Sequence, residues 1–237
     1  MGEVRVLARP PLGASLRKLA AGSGRPGTGG HVLYEPLKRA MDIIAALVGL
    51  GLGLPIMIVV AIAVFLDSPG PVTYRATRVG KGGRKVRIVK FRSMRPDSEA
   101  ILAQLLEDPV IAAEYRSTFK LREDPRCTRV GRFLRRTSLD ELPQLWNVLM
   151  GSMSLVGPRP IVAQELEMYR QVPGGEEAYL AVRPGLTGLW QVSGRSDTTY
   201  AERVRLDLEY VEKRSLRHDI DIALRTPRAA LRGHGAY

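Results

Sequence analysis

The chain has 237 residues and a formal net charge of +12, with a sequence pI of about 10.2. That length fits one domain with appendages, and so basic a balance points to anionic partners: membrane lipids, nucleic acid or phosphorylated substrates. Cys127 is the only cysteine, which excludes an intrachain disulfide or a cysteine zinc cluster and suits a reducing compartment.

Residues 1–33 are rich in Gly, Pro and Arg and read as a mobile basic tail. Near an anionic surface each Lys or Arg there contributes ~1 kcal/mol; an extension without a role fits the same composition. No secretory signal peptide is expected, because the apolar run starts late and is too long for an h-region. Residues 43–66 carry no charge. At ~1.5 Å rise per residue a helix of that length reaches roughly 36 Å, against a hydrocarbon core about 30 Å thick. Lys38 and Arg39 precede the run, and Arg75, Arg78 and Lys81 follow it. Basic residues belong on the cytoplasmic side, so two basic flanks favour a segment 34–66 that enters and leaves on one face. Pro55 is the turning point, with Gly49, Gly51 and Gly53 permitting the bend. A kinked transmembrane helix is the competing reading.

Residues 72–79 and 84–91 alternate β-branched and basic residues around Lys81-Gly82-Gly83, the pattern of a β-hairpin. Residues 97–120 are helical in pattern and divided at Asp108-Pro109. A short helix is expected over 141–150, stopped by Gly151, and another over 161–171. A loop covers 183–195, and amphipathic helices cover 201–213 and 219–232. The expected class is α+β, mainly helical.

The segment Thr137-Ser138-Leu139-Asp140-Glu141-Leu142-Pro143 sets two carboxylates at a helix start. Proline is tolerated only in a first turn, which makes Asp140 a natural N-cap with Glu141 in the first helical position. The positive end of the helix dipole would keep that carboxylate ionised. An ionised aspartate can attack phosphorus, and Glu141 can hold Mg2+, a hard ion that also binds substrate phosphates. Ser138-x-x-Glu141 is equally a capping box, a purely structural device. Arg132, Arg135 and Arg136 precede the dyad. Arg159 stands in Gly157-Pro158-Arg159-Pro160, where prolines stiffen a guanidinium suited to phosphate oxygens. A solvated face or a loop strut accounts for the same arginines. Lys90 and Arg92 alternate along a strand and so share a face, with plain solvent exposure as the other reading. Trp146 falls in the apolar stripe of its helix, a core position. Trp190 sits in a Gly-rich loop as an anchor or a membrane-interface residue. His31, His218 and His234 show no metal-ligand spacing, and no P-loop, GxGxxG or nucleophile elbow occurs.

Taken in order, these segments resemble the bacterial sugar transferases, the small monotopic polyprenol-phosphate phosphoglycosyl transferases, over about residues 34–226. The carriers are the apolar segment with Pro55, residues 90–94 (KFRSM), 137–147 (TSLDELPQLWN), 153–160 (MSLVGPRP) and 183–195 (RPGLTGLWQVSGR). The last block and residues 205–210 (RLDLEY) are most similar to exopolysaccharide-type hexose-1-phosphate transferases. The resemblance implies transfer of a hexose 1-phosphate, galactose or glucose, from a UDP-sugar to undecaprenyl phosphate, with release of UMP. It implies a phosphosugar-aspartate intermediate and a role in initiating exopolysaccharide repeat units. On the matching positions Asp140 is the nucleophile and Glu141, beside Asp140, the Mg2+ ligand. Arg135 and Arg159 bind phosphate, and Lys90 and Arg92 are further phosphate-binding candidates. Asp207 and Asp219 match acidic positions without an assigned role.

The fold it implies is a re-entrant helix-break-helix over 34–66, amphipathic interfacial helices and a small strand element. A catalytic part over 67–237 would face the cytoplasm at the bacterial inner membrane. Anionic lipids are further partners, nucleic acid is not expected, and a homo-oligomer is compatible. Two positions depart from the family. Leu54-Pro55 stands where Ser-Pro is common, and leucine cannot pair a freed backbone carbonyl. Lys213 to His218 is basic where apolar residues are common, favouring charge contact with lipid head groups over insertion. A nucleic-acid-binding protein fits the charge but not the apolar segment or the acidic dyad. The remaining alternative is a non-catalytic membrane scaffold of polysaccharide export, in which residues 20 and 85 would lie on opposite faces.

Overall fold

The computed structural model describes residues 30–118, 121, 123–194 and 199–231; residues 1–29 of the tail expected over 1–33 and Arg195 lie outside them, and residues 30–33 of that stretch are helical. The apolar run belongs to one 38-residue helix, α1 (Gly30–Asp67), with Pro36 and Pro55 inside it. The chain stays helical through Pro55 instead of breaking there. A proline deletes one helix hydrogen bond, and the turns on either side keep theirs. By length and composition α1 can cross a membrane.

The expected hairpin forms from β1 (Thr73–Val79) and β2 (Lys85–Phe91), antiparallel, with Thr73 opposite Phe91. Its turn places Gly82 and Gly83 at positive φ. Next come α2 (Ser98–Leu105) and α3 (Pro109–Thr118). Pro109 opens α3, where its missing N–H costs nothing, and the Asp108 carboxylate accepts from the Val110 N–H at 2.7 Å. Helices α4 (Arg129–Thr137) and α5 (Gln144–Leu149) bracket the acidic dyad. The chain continues through β3 (Ser154–Val156), α6 (Leu166–Arg170), α7 (Gly175–Ala181) and β4 (Gly185–Thr187). It closes with α8 (Leu189–Ser193), α9 (Tyr200–Lys213) and α10 (Leu216–Leu231).

Strands β3 and β4 pair in parallel, Ser154 opposite Gly185 and Val156 opposite Thr187. Residues 183–195 therefore hold a strand and a short helix, not only a loop. Three-residue strands are too short to show a period in sequence.

One stripe of α1 faces protein. Tyr34, Lys38, Asp42 and Ala46 are buried before Pro55, and Val60 and Val64 after it; spacings of four hold them on one face. Ala46 packs with Ala76, Ile88 and Val148, and Val60 and Val64 with Phe91 and Leu134. Between these contacts Leu52, Leu54 and Ile56 are exposed. The basic flank expected on the cytoplasmic side is used inside the protein. Arg39 donates to the Val148 and Leu149 carbonyls, each at 2.6 Å, satisfying open acceptors at the end of α5. Lys38 stands 3.2 Å from Asp219 of α10. At the far end of α1, Asp67 accepts from the Val130 N–H of α4 at 2.9 Å.

Asn147 completes the frame. Its amide donates to the Arg87 carbonyl at 2.8 Å and accepts from the Val89 N–H at 2.9 Å. This satisfies the outer edge of β2 and locks α5 against it. Because the inner face of α5 is taken by Leu145, Asn147 and Val148, Trp146 points away from the core and is 53% exposed. The expectation of a core tryptophan is thereby corrected.

Candidate active site

Thr128 caps α4 by accepting from the Gly131 N–H at 3.0 Å, and the helix ends at Ser138. Ser138 has φ 58°, the one positive φ outside glycine among the described residues. Left-handed backbone costs a residue with a Cβ ~1–2 kcal/mol. Here it turns the chain out of α4 into a single 3-10 turn, Leu139–Glu141. Asp140 therefore lies inside that turn and is not an N-cap. The capping box does not form either: the Glu141 N–H donates to the Ser138 carbonyl at 3.2 Å. The Glu141 side chain points elsewhere.

It meets Lys90 from the end of β2, with Nζ 2.6 Å from Glu141 Oε1 and 3.9 Å from Asp140 Oδ2. Arg159, in the loop after β3, brings Nη1 to 3.9 Å from the same glutamate oxygen. Asp140 is 7% exposed. Burial pushes its carboxyl up to about 6, and the neighbouring Glu141 adds to the rise. Lys90, Arg135 and Arg159 pull it back. The expected depression by a helix dipole is replaced by desolvation of the charged form. Arg135 acts on Asp140 through its field while its own donors are used nearby. Its Nε donates to Ser93 Oγ at 3.1 Å, and its Nη1 stands 3.2 Å from Cys127 Sγ.

Four of the expected residues thus surround Asp140: Glu141, Lys90, Arg135 and Arg159. The others do not join them. Arg92 donates to the Ser68 and Pro69 carbonyls, the latter at 3.4 Å, and ties the exit of α1 to the hairpin. Asp207 is buried and accepts from the Tyr169 hydroxyl at 2.6 Å. Asp219 accepts from Tyr34 at 2.9 Å and from Tyr210 at 2.8 Å. Pro55 lies on the exposed middle of α1. Sequence reasoning missed Arg203, which packs on Trp190 close to Arg159. Its signal was an arginine four residues before Asp207, inside the apolar stripe of α9.

The donor set suits Mg2+. Asp140 and Glu141 offer hard carboxylate oxygens, and Mg2+ commonly takes one or two carboxylates together with substrate phosphates. Among the described residues no group of three or more His, Cys, Asp or Glu gathers. The other ligands would have to be phosphate oxygens and water.

The chain is similar to several known proteins. A family model described as bacterial sugar transferase matches residues 33–233. A UDP-galactose-lipid carrier transferase from Erwinia amylovora is 48% identical over 202 residues, 85% of this chain and 42% of that protein. An undecaprenyl-phosphate galactose phosphotransferase from Salmonella typhimurium is 50% identical over 202 residues, with the same shares. The chain thus spans about two fifths of the length of these two relatives. The exopolysaccharide production protein ExoY of Sinorhizobium fredii is 42% identical over 201 residues, 84% of this chain and 88% of that protein.

Proposed function

The chain belongs to the bacterial sugar transferase family, and from that membership we propose that it transfers a sugar 1-phosphate from a UDP-sugar to undecaprenyl phosphate. The observation that carries this reading is a buried aspartate next to a glutamate, ringed by Lys90, Arg135 and Arg159. A carboxylate nucleophile and three cations suit an anionic diphosphate far better than a neutral substrate.

Asp140 attacks the β-phosphorus of the UDP-sugar. A bond forms from its carboxylate oxygen to phosphorus, the bridge to the α-phosphate breaks, and UMP leaves with the bridging oxygen. A phosphate oxygen of undecaprenyl phosphate then attacks the same phosphorus. The Asp140 oxygen departs as carboxylate, and the product is the lipid diphosphate sugar. Lys90 and Arg159 neutralise charge on the diphosphate, and Arg135 adds its field at Asp140. A Mg2+ held by Glu141 and Asp140 would supply further neutralisation there. The relatives' names make galactose and glucose the first donors to test.

The lipid acceptor requires a site at head-group height. Both ends of α1 dock on the same body, through Arg39 and Tyr34 at one end and Asp67 at the other. A helix crossing a bilayer carries its ends to opposite faces, so this double docking supports a one-sided, monotopic placement at the inner membrane. Exposed Trp146 and Phe133 lie on helices that abut α1, and exposed Met150 follows directly after one of them, where an interfacial belt would sit. In vesicles of brominated lipid, tryptophan emission should be quenched in the wild-type chain and not in Trp146→Phe. Equal quenching in both would remove Trp146 from the interface.

The pH profile follows from the raised Asp140 pKa. The attacking form is the ionised one, so first-turnover UMP release should rise with pH through about 6 and level off above it. On the acid side it should fall about tenfold per pH unit. A flat profile from about pH 5 to about pH 8 would separate the rate from this carboxylate. The decisive test of the function itself is UMP release from a panel of UDP-sugars, with and without undecaprenyl phosphate. Absence of UMP with every donor would end the transferase reading.

A further inference from the structure

Strands β3 and β4 are parallel, so both segments leave the small sheet at the same end. Arg159 lies three residues past Val156, and Trp190 three residues past Thr187, the partner of Val156. The Gly157 N–H donates to the Thr187 carbonyl at 2.9 Å, and the Gly185 N–H to the Pro158 carbonyl at 2.7 Å. The backbones approach so closely that a Cβ on Gly157 would stand 2.6 Å from the Arg183 carbonyl oxygen. This weld carries Arg159 Cζ to 5.7 Å from the centroid of the Trp190 ring, while its Nη1 stays 3.9 Å from Glu141.

Trp190 is itself held. Arg203 of α9, only 8% exposed, sets Cζ 4.8 Å from the Trp190 centroid and 5.0 Å from that of Tyr200. Its Nη1 is 3.5 Å from Glu165, whereas Nε and Nη2 are buried without a hydrogen-bond partner. The guanidinium is thus engaged through its faces more than its edges, the mode of a stacked cation. The surroundings push the cations apart. Burial and the charge of Arg159 together lower the pKa of Arg78, so Arg159 has like charge beside it. The Trp190 ring gives the guanidinium a surface that opposes this repulsion.

We propose that Trp190, clamped by Arg203, positions Arg159 for the donor diphosphate. Trp190 and Arg203 are positioning residues that act through Arg159, and the inference rests on the transferase reading given above.

A double-mutant cycle on UMP release tests it, with the full chain in nanodiscs and the UDP-sugar that the wild-type chain turns over. Trp190→Leu should raise the donor KM about tenfold and leave the acceptor KM within about twofold. Trp190→Phe, which keeps an aromatic face, should return the donor KM to within about threefold of wild type. In an Arg159→Gln background, Trp190→Leu should add less than about twofold, because no guanidinium remains to be placed. An undiminished tenfold penalty in that background would overturn the proposal, since Trp190 would then act on the fold as a whole. Should Trp190→Leu lose its melting transition, Arg203→Lys runs the same cycle, with the same two outcomes deciding. A wild-type chain that releases no UMP fails the transferase reading; an active wild type with additive penalties fails only the positioning.

Discussion

Asp140→Asn is expected to lower UMP release by roughly a thousandfold or more while leaving the chain folded. The amide matches the carboxylate in size but has no anionic oxygen to bond to phosphorus. Lys90 keeps its contact with Glu141 at 2.6 Å, so the cation is not stranded. The folded-state pKa of Asp140, about 6, lies above its ordinary value of 3.8. The folded chain therefore binds that proton more tightly than the unfolded one. The resulting stabilisation is complete below the ordinary value and lost as pH rises through about 6. At neutral pH the buried charge opposes folding, and asparagine removes it. Tm near pH 7.5 should be unchanged or raised in the variant, with the difference disappearing in acid. Mass spectrometry of rapidly quenched wild type should find a phosphosugar on the peptide containing Ser138–Leu142, and none in Asp140→Asn. Wild-type turnover by the variant, or the adduct on another residue, would take the nucleophile role from Asp140.

Asp219→Ala should be the most destabilising single change, by ~3–5 kcal/mol, the usual cost of removing one partner of a buried ion pair. Asp219 is fully buried. It accepts from the hydroxyls of Tyr34 and Tyr210 and stands 3.2 Å from Lys38. Truncation would leave Lys38, itself buried, with Asp42 at 3.7 Å, and would take its acceptor from the Tyr34 hydroxyl, while Tyr210 keeps the Val156 carbonyl at 3.0 Å. This junction ties the start of α1 to α10, so α1 should loosen from the body at that end. Tm should fall by about 10 °C, and proteolysis near residue 34 should speed up. Asp219→Asn, which can still accept from the tyrosines, should fall less. An alanine variant with wild-type Tm and protease resistance would show that the junction does not hold α1.

Several features were legible because a few neighbouring residues decide them. Proline is favoured in the first turn of a helix, so Asp108-Pro109 marked the boundary between α2 and α3. Alternation over seven residues marked each strand of the hairpin. Two glycines marked its turn, and an uncharged run marked α1. The adjacent carboxylates were visible as a dyad, and Glu141 and Arg159 were already candidates for the site. Where the reading failed, a longer-range contact had won. Asp140 looked like an N-cap until Ser138 adopted left-handed backbone. Trp146 looked like core until Asn147 and its neighbours took the inner face of α5. Plain solvent exposure fitted Arg92 until the exit of α1 presented two carbonyls to it.

The sequence by itself determined that an apolar helix and an acidic pair exist, because hydropathy and helix geometry act over a few consecutive residues. Only the tertiary structure decided which cations meet that pair. Lys90 and Glu141 are 51 residues apart in sequence, and Arg159 arrives through a parallel strand contact that no local pattern announces. The same holds for the acidity of Asp140. Adjacency to Glu141 was visible, but the larger cause is the exclusion of water by packed neighbours, and water is excluded by the whole fold.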